Sequence, residues 1–485
     1  MNKRLVILSV PNIRIARVLL NDHILGAVKD DADIVVATPF ADDDAFRNEY
    51  RSSKLGFFPI KLPKQQPRLI QILYSLSELM RTVAFYRRNR RRGLQYYWSI
   101  MTKQFGEDGK DTSDPWLRRL VKQLTSIVGL WRGAWKVLDW LIGRSVFRSP
   151  MLENLVGQYQ EVTLVQASSW GEQDRMLAWN ARRFRFRTVL VPYTTDQLWV
   201  NGYLLCNYDA VCVQGPFEEH CARNYHQVPE SRMIRLGSMW FRTIDRIVKN
   251  SPELREVNQK KDKRVMLYAG VSRIYFPRES EFQAIDALIT ANKNGLFGES
   301  TKLVYRPYAM TSEERAEIME RYGETLLQLQ WPEEVCAGLS SYSGGLITAQ
   351  LLSYIQGLMD VDVLVMSHTT SLGIDAAYLG CAVVANFADN TGVLARRKTH
   401  LRFLKNGQLD FAPGTPISRS IPELVSLVQV LLHDKAEARK SGEKLVAQWD
   451  YQCNNSQDLL RTAILDEVAV EYATSVEKPV AYDME

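Results

Sequence analysis

The sequence lacks the residue patterns of a metal site, a disulfide framework and a membrane span. None of its six cysteines forms a Cys-x-x-Cys pair, so neither zinc binding nor a set of disulfides is indicated. No apolar run reaches the roughly 18 residues that a spanning helix needs, and the short N-terminal run that ends at Pro11 has no small-residue cleavage site. We therefore expect a cytoplasmic protein without a transmembrane helix. The cysteines are Cys206, Cys212, Cys221, Cys336, Cys381 and Cys453.

Length and composition indicate a globular chain with more than one core. Hydrophobic residues make up 46% and charged residues 24%, which is typical of folded proteins. A chain of 485 residues is longer than one core usually supports, and this predicts two main domains. The net charge of +6 is local, because residues 81–148 contain 15 Lys/Arg against five Asp/Glu.

Apolar runs alternate with helical patterns in the first half of the chain. Leu5–Val10 and Asp33–Thr38 flank the helical pattern "RIARVLLNDHILGAVKDD", and three more runs, "VTLVQASS", "RTVLVPYT" and "DAVCVQG", follow residue 149. Short strands separated by helices favour a parallel sheet covered by helices. The pattern predicts an α/β domain over residues 1–248, interrupted at about 66–149 by a helical insertion rich in arginine and aromatic residues.

A second α/β series follows a charged segment that is poor in apolar residues. Residues 249–263 read as a linker between domains. Strand-like runs "RVMLYAG", "KLVYRPY" and "LLQLQW" then begin a second Rossmann-like domain, which we place at residues 264–435. Residues 436–485 are expected to form C-terminal helices and a frayed tail.

One turn in this second series concentrates hydroxyl side chains. "DVLVMS" predicts a buried strand and "SLGIDAAYLG" predicts a helix that stops at Gly380. Ser367, Thr369, Thr370 and Ser371 therefore lie between the end of a parallel strand and the N-terminus of a helix, where free N–H groups and the helix dipole can hold a phosphate. An ordinary N-cap at Thr370 or Ser371 explains the same residues equally well.

This turn and two neighbouring segments resemble the donor domain of GT-B glycosyltransferases and of the related CDP-glycerol and sialic-acid or Kdo transferases. "SHTTSLGIDAAYLGCAVV" matches the order of that family's strand, turn and helix, "RVMLYAGVSR" is similar to its first strand and glycine turn, and "KLVYRPYAM" is similar to its "vRPHP" segment. In the first half, "VPYTTDQLWVNGY" is similar to the "SWDNLTSKG" segment of bacterial surface-carbohydrate transferases. Tyr308, Asp375 and Cys381 depart from the family's usual histidine, glutamate and proline.

The resemblance implies a GT-B fold, with two Rossmann-like domains facing a cleft, and a specific activity. A sugar would move from a nucleotide-activated donor to a surface-polysaccharide or lipid-linked acceptor, with no metal and no cofactor. Purely structural roles explain two of the donor-binding candidates as well. His368 can form a hydrogen bond with the backbone, and Asp375 can be a solvated acid in the first turn of the helix. The residues implied in donor binding are Gly270, Arg273, Arg306, Ser367, His368, Thr369, Thr370, Ser371 and Asp375.

Glycosyl transfer also needs a base for the acceptor hydroxyl. Asp196 is our first candidate, because it lies in the polar turn after "RTVLVPYT" and would face the cleft. His23, beside Asp22 on the first helical pattern, is the alternative catalytic candidate, although a half-buried surface histidine is the commoner case.

The basic insertion predicts contact with an anionic membrane surface. Its stretch from Trp116 to Arg148 repeats apolar residues at helical spacing with cations beside them, as in helices that lie on headgroups. An amphipathic helix packed on its own domain is the plainer reading. No recognisable nucleic-acid-binding module accompanies the charge, so we expect no nucleic-acid partner. The proposed membrane-contact residues are Arg87, Arg88, Arg90, Arg91, Arg92, Trp131 and Trp135.

Two other functions remain open at this point. A UDP-sugar 2-epimerase shares the two-domain architecture, although its usual "S-G-G" turn is missing at Thr369–Ser371. A non-catalytic scaffold at the inner face of the cytoplasmic membrane is the second alternative.

Overall fold

The computed structural model contains two parallel sheets, each covered by helices on both faces. Its coordinates describe a defined part of the chain, and every structural statement below refers to that part. The described residues are 3–50, 55–60, 77, 80–81, 85, 89, 140–144, 147–169, 171–194, 197–200, 203–252, 254, 264–271, 276–298, 301–308, 311–325, 327–331, 346–368, 370–389, 404–405, 408–409 and 414–465.

The first sheet has seven strands, all parallel, in the order β3-β2-β1-β4-β5-β6-β7. Apolar side chains pack on both of its faces, as expected of parallel strands between helix layers. Its strands are β1 Arg4–Ser9, β2 Asp33–Thr38, β3 Leu55–Pro59, β4 Glu161–Gln166, β5 Arg187–Leu190, β6 Ala210–Val213 and β7 Met233–Arg235. Its helices are α1 Ile13–Leu19, α2 Asp22–Val28, α3 Asp44–Glu49, α4 Pro150–Val156, α5 Glu172–Phe184, α6 Gln197–Val200 and α7 Pro216–Asn224, with a 3-10 turn at Glu230–Arg232.

Helix α8, Met239–Asn250, leads into the second sheet, which has six parallel strands in the order β10-β9-β8-β11-β12-β15. Its strands are β8 Val265–Ala269, β9 Lys302–Arg306, β10 Gln328–Leu329, β11 Val363–Ser367, β12 Ala382–Asn386 and β15 Ile417–Ser418, and β13 Leu404–Lys405 pairs with β14 Gln408–Leu409 apart from it. Its helices are α9 Arg278–Lys293, α10 Ser312–Tyr322, α11 Leu346–Met359, α12 Ser371–Tyr378, α13 Ile421–His433 and α14 Lys435–Trp449. Two Rossmann-like parallel-sheet domains are therefore confirmed.

One predicted helix is divided in two. The pattern "RIARVLLNDHILGAVKDD" predicts a single helix, whereas the structure ends α1 at Leu19 and begins α2 at Asp22. The side chain of Asn21 accepts a hydrogen bond from the N–H of Ile24 at 2.9 Å and so caps a new helix. The helix is divided because Asn21 caps a new helix, and hydrophobic periodicity alone does not reveal such a cap.

The last described helix, α15 (Ser456–Leu465), returns to the first sheet. Leu460 and Ile464 are fully buried in the apolar core on one face of that sheet, and the hydroxyl of Thr163 donates to the carbonyl of Ile464 at 2.9 Å. The chain therefore passes between the domains twice, through α8 and again between α14 and α15. None of the helices that the structure describes is both long and apolar enough to cross a membrane.

Candidate functional site

The carboxyl edge of the second sheet brings together residues from distant parts of the sequence. Strands β8 and β11 are neighbours at its centre, although the connections from them lead to opposite sides of the sheet. In such sheets a crevice opens at the carboxyl ends of the two strands where the order reverses, and ligands bind there. Gly270 follows β8, Ser367 ends β11 and Arg306 ends the adjacent strand β9, so three of the predicted donor residues meet at this edge.

A buried carboxylate that sequence reasoning missed lies at the base of this edge. Glu281, on α9, is 1% exposed and accepts hydrogen bonds from Arg278 at 2.7 Å, from the hydroxyl of Ser367 at 2.9 Å and from the N–H of Val271 at 3.3 Å. The Tyr305 hydroxyl donates to it as well. An acid in the first turn of a helix is usually exposed, so no sequence pattern distinguished this one. The hydroxyl of Ser367 is thus directed into the protein.

The same carboxylate explains the glycine at position 270. A Cβ at Gly270 would lie 2.7 Å from Oε1 of Glu281, which is closer than side-chain atoms approach one another. The resemblance implies that Gly270 takes part in donor binding. The structure shows that the space beside it is already filled by Glu281.

The Ser/Thr turn after β11 has one strained residue and one hydroxyl without a partner. His368 has φ +60°, is 4% exposed, donates its backbone N–H to the carbonyl of Asn386 at 2.9 Å and lies 4.9 Å from the ring of Phe387. A left-handed backbone at a residue other than glycine is costly and often occurs at functional turns. Thr370 is the N-cap of α12 but makes no capping bond, and its buried Oγ1 has no hydrogen-bond partner among the described atoms. Ser371, the first residue of the helix, is exposed.

Arg306 is a half-buried cation at the end of β9, on the same edge of the sheet as this turn. Its guanidinium lies 5.4 Å from the ring centroid of Tyr354, and no described carboxylate forms an ion pair with it. Burial lowers the pKa of Arg306, because the charged form loses water without gaining a counter-ion. A desolvated arginine of this kind attracts an anionic ligand, which would supply the missing charge.

Asp375 is half-buried, and both of its carboxylate oxygens accept hydrogen bonds from other helices. Its carboxylate accepts a hydrogen bond from the indole N–H of Trp240 at 3.0 Å and another from the hydroxyl of Tyr354 at 2.5 Å. Burial raises the pKa of Asp375 to about 6, and these two hydrogen bonds oppose the shift. The predicted contact of Asp375 with ribose hydroxyls stays a prediction, whereas its contact with α8 was not foreseen.

A second buried carboxylate lies at the corresponding edge of the first sheet. Asp174 on α5 is 0% exposed and accepts hydrogen bonds from the hydroxyls of Ser9, at 2.6 Å, and Ser168. The side-chain amide of Gln166 donates to the same carboxylate at 3.3 Å. Ser9 ends β1 and Gln166 ends β4, the two central strands where the order of the first sheet reverses. Both sheets therefore have a buried acid at their switch point.

Of the remaining predicted site residues, the structure describes His23, and the others lie outside the described ranges. His23 is half-buried on α2, 2.7 Å from the hydroxyl of Ser456, and burial followed by the charge of Arg242 lowers its pKa. It therefore lies where α2 meets α15, and its catalytic role stays a prediction. Of the described residues, no group of three His, Cys, Asp or Glu is arranged to hold a metal. The predicted residues outside the described ranges are Asp196, Arg273, Thr369, Arg87, Arg88, Arg90, Arg91, Arg92, Trp131 and Trp135.

Comparison with known proteins identifies the fold. No protein-family model and no curated protein sequence matches the chain. Among solved structures, the UDP-GlcNAc 2-epimerase of Neisseria meningitidis, bound to UDP-GlcNAc, is similar with a TM-score of 0.50 and 10% identity, over 95% of this chain and 99% of that one. The chain has the GT-B fold.

Weaker similarities include both reaction classes that the sequence analysis left open. The UDP-GlcNAc 2-epimerase of Methanocaldococcus jannaschii has a TM-score of 0.46 and 10% identity, over 92% of this chain and 98% of that one. A spinosyn rhamnosyltransferase has a TM-score of 0.42 and 10% identity, over 95% of this chain and 99% of that one. At such identities the likeness is one of fold, so the activity has to be argued from the site.

Proposed function

We propose that the protein is a glycosyltransferase that takes a sugar from a nucleotide-activated donor. One observation carries the proposal: Arg306, a half-buried arginine without a described counter-ion, lies at the carboxyl edge of the second sheet next to its switch point. The N-terminus of α12 lies at the same edge of the sheet, where Thr370 Oγ1 has no partner among the described atoms, and adds backbone N–H groups and the positive end of a helix dipole.

These groups suit the chemistry of a departing nucleotide. Negative charge grows on the phosphate as the glycosidic bond breaks, and donors held in place beforehand stabilise that charge. Arg306 would pair with the phosphate oxygens, and the first turn of α12 would donate hydrogen bonds to them. The buried charge of Glu281 is balanced by Arg278, so it does not repel a phosphate with its full strength.

Other parts of the proposal rest on the sequence alone. Asp196 is the proposed base for the acceptor hydroxyl, and the acceptor is a surface polysaccharide or a lipid-linked glycan. The arginine- and tryptophan-rich insertion would hold the enzyme on an anionic membrane. A UDP-sugar is the first donor to test, because the similar N. meningitidis structure contains one.

Nucleotide binding by wild type and Arg306→Gln tests the proposal. We expect one of UDP, CDP, CMP, GDP and ADP to stabilise the wild type by roughly 2.7 kcal/mol at 100 times its Kd. Arg306→Gln should weaken that binding about 10- to 100-fold, since a hydrogen bond between charged groups contributes about 1.5 to 3 kcal/mol. Thermal-shift experiments measure the stabilisation, and isothermal calorimetry measures the Kd of each protein.

The matched control is Arg321→Gln. Arg321 also lies over an aromatic ring, 4.8 Å from that of Phe282, but it is in the last turn of α10 and pairs with Asp286. Its replacement should leave nucleotide affinity unchanged. If no nucleotide binds, or if both variants bind equally well, the proposal is wrong.

Product analysis separates the two enzyme classes. Incubation with a nucleotide sugar that binds should release nucleoside diphosphate or monophosphate if the protein is a transferase. Recovery of an intact nucleotide sugar that is epimerised at C2 would establish the 2-epimerase instead.

A further inference from the structure

Arg306 is connected to the helix between the two domains through two side chains. Its guanidinium lies 5.4 Å from the ring centroid of Tyr354, on α11. The hydroxyl of Tyr354 donates to Asp375 on α12 at 2.5 Å, and the indole of Trp240 on α8 donates to the other oxygen of that carboxylate at 3.0 Å. These contacts link β9, α11, α12 and α8.

Helix α8 is held by both domains. Its residues Phe241 and Ile244 are buried in the apolar core of the second domain. On the side of the first domain, the amide of Asn21 donates to the hydroxyl of Thr243 at 3.4 Å, and Arg246 forms an ion pair with Asp22. Trp240 is therefore fixed by a helix whose position depends on both domains.

We propose that Tyr354 and Asp375 are positioning residues that hold Arg306 ready for the donor phosphate. The proposal deepens the proposed function and rests on it, because it takes Arg306 as the residue that contacts that phosphate. An arginine over an aromatic face is attracted by the ring while its N–H groups stay available to an anion. The Tyr354 hydroxyl, bonded to Asp375, fixes the plane of that ring.

The arrangement also connects a carboxylate to Arg306 through Tyr354, without a described ion pair between the two charges. A carboxylate in direct contact would compete with the phosphate for the same N–H groups. Asp375 instead bonds to the Tyr354 hydroxyl, so it orients the ring while Arg306 keeps its donors. This accounts for a half-buried acid whose described side-chain hydrogen bonds are those with Tyr354 and Trp240.

A double-mutant cycle on nucleotide affinity tests the proposal. Tyr354→Phe keeps the ring and removes the hydroxyl, and Asp375→Asn keeps the size and removes the charge. We expect each to raise the Kd of the nucleotide that binds the wild type by about three- to 30-fold. In an Arg306→Gln background, the same changes should add less than about twofold, because they act through Arg306.

The control is Tyr378→Phe. Tyr378 is also on α12, donates its hydroxyl to the carboxylate of Asp245 on α8 at 2.7 Å, and stacks on Phe241 at 3.9 Å, but it has no described contact with Asp375 or Arg306. Loss of the Tyr378 hydroxyl should leave the Kd of the nucleotide unchanged. Equal losses of affinity in the wild-type and Arg306→Gln backgrounds would overturn the proposal, since they would show a general structural effect.

A measurement that needs no nucleotide tests the positioning role of Tyr354 and Asp375 independently of the proposed function. Phenylglyoxal modifies accessible arginines, and peptide mass mapping gives the rate at Arg306 relative to Arg148, whose side chain is 61% exposed. Tyr354→Phe should raise that relative rate at least about threefold, and Trp240→Phe serves as a second variant if Tyr354→Phe does not fold. An unchanged rate overturns the positioning role, whereas a wild type that binds no nucleotide overturns only the proposed function.

Discussion

At the scale of residues, the two buried acids at the sheet edges are stabilised in different ways. Glu281 accepts a hydrogen bond from the charged Arg278, at 2.7 Å, whereas all the hydrogen-bond donors to Asp174 are neutral hydroxyl, amide and backbone groups. Burial therefore raises the pKa of Asp174 from 3.8 to about 6, although the hydroxyls of Ser168 and Ser9 oppose the shift. The folded chain holds this proton more tightly than the unfolded chain does.

This difference predicts a specific dependence of stability on pH. Between about pH 4 and pH 6 the folded state binds more protons at Asp174, so its contribution to the free energy of unfolding falls as pH rises. Relative to Asp174→Asn, which cannot titrate, the wild type should lose up to about 3 kcal/mol across this range. Urea unfolding at pH 4, 5, 6 and 7 measures the difference. The control Asp458→Asn changes an exposed acid and keeps Asp174. If the difference in unfolding free energy between wild type and Asp174→Asn changes with pH no more than the difference between wild type and Asp458→Asn, the prediction is wrong.

At the scale of elements, α15 is part of the first domain although it is last in the described sequence. Leu460, Ala463 and Ile464 are fully buried in the core that covers β1 and β4. The guanidinium of Arg187 on β5 also donates to the carbonyl of Ala463 at 2.8 Å. The first sheet therefore depends on a segment that follows the whole second domain.

Truncating a buried side chain of α15 should weaken the protein strongly. Leu460→Ala removes a fully buried side chain, and such changes cost about 2 to 5 kcal/mol. Val430→Ala, on α13, removes an apolar side chain that is 48% exposed and should change the free energy of unfolding by less than about 0.5 kcal/mol. Chemical denaturation compares the two. Equally small decreases in the free energy of unfolding for the two variants would show that α15 does not pack on the first sheet.

At the scale of the whole molecule, the end of α14 touches the beginning of α7. Phe217 and Trp449 have ring centroids 4.8 Å apart, and the N–H of Tyr451 donates to the carbonyl of Gln214 at 2.9 Å. Gly215 lies against the backbone here, because a Cβ at this position would overlap Trp449 and approach the nitrogen of Asp450 to 2.7 Å. Close backbone approach, and not an unusual φ, requires this glycine.

Gly215→Ala should therefore loosen the contact between the domains. We expect a loss of about 1 to 3 kcal/mol, with hydrogen exchange rising in α7 and at the end of α14 but not in the central strands of either sheet. Gly56→Ala is the control, because its Cβ would meet Val35 and the carbonyl oxygen of Ile34 at ordinary distances of 3.4 and 3.6 Å. Hydrogen exchange that rises equally in both variants, or that rises in the central strands, would refute this description of the contact between α7 and the end of α14.

The sequence by itself determined the repeating elements of this protein. The apolar runs predicted the central strands of both sheets, and the strand "DVLVMS" with the helix "SLGIDAAYLG" was confirmed almost to its ends, because Gly380, with φ +92°, ends the helix locally. Parallel strands also imply that polar residues at their carboxyl ends meet, which brought Gly270, Arg306 and Ser367 to one edge.

Only the tertiary structure decided what these residues contact. Glu281 fills the space beside Gly270, Asp375 bonds to a tryptophan 135 positions away, and Arg306 is left without a described counter-ion. The physical reason is that periodicity and helix capping act over a few residues, whereas desolvation and charge pairing depend on which distant side chains burial brings together.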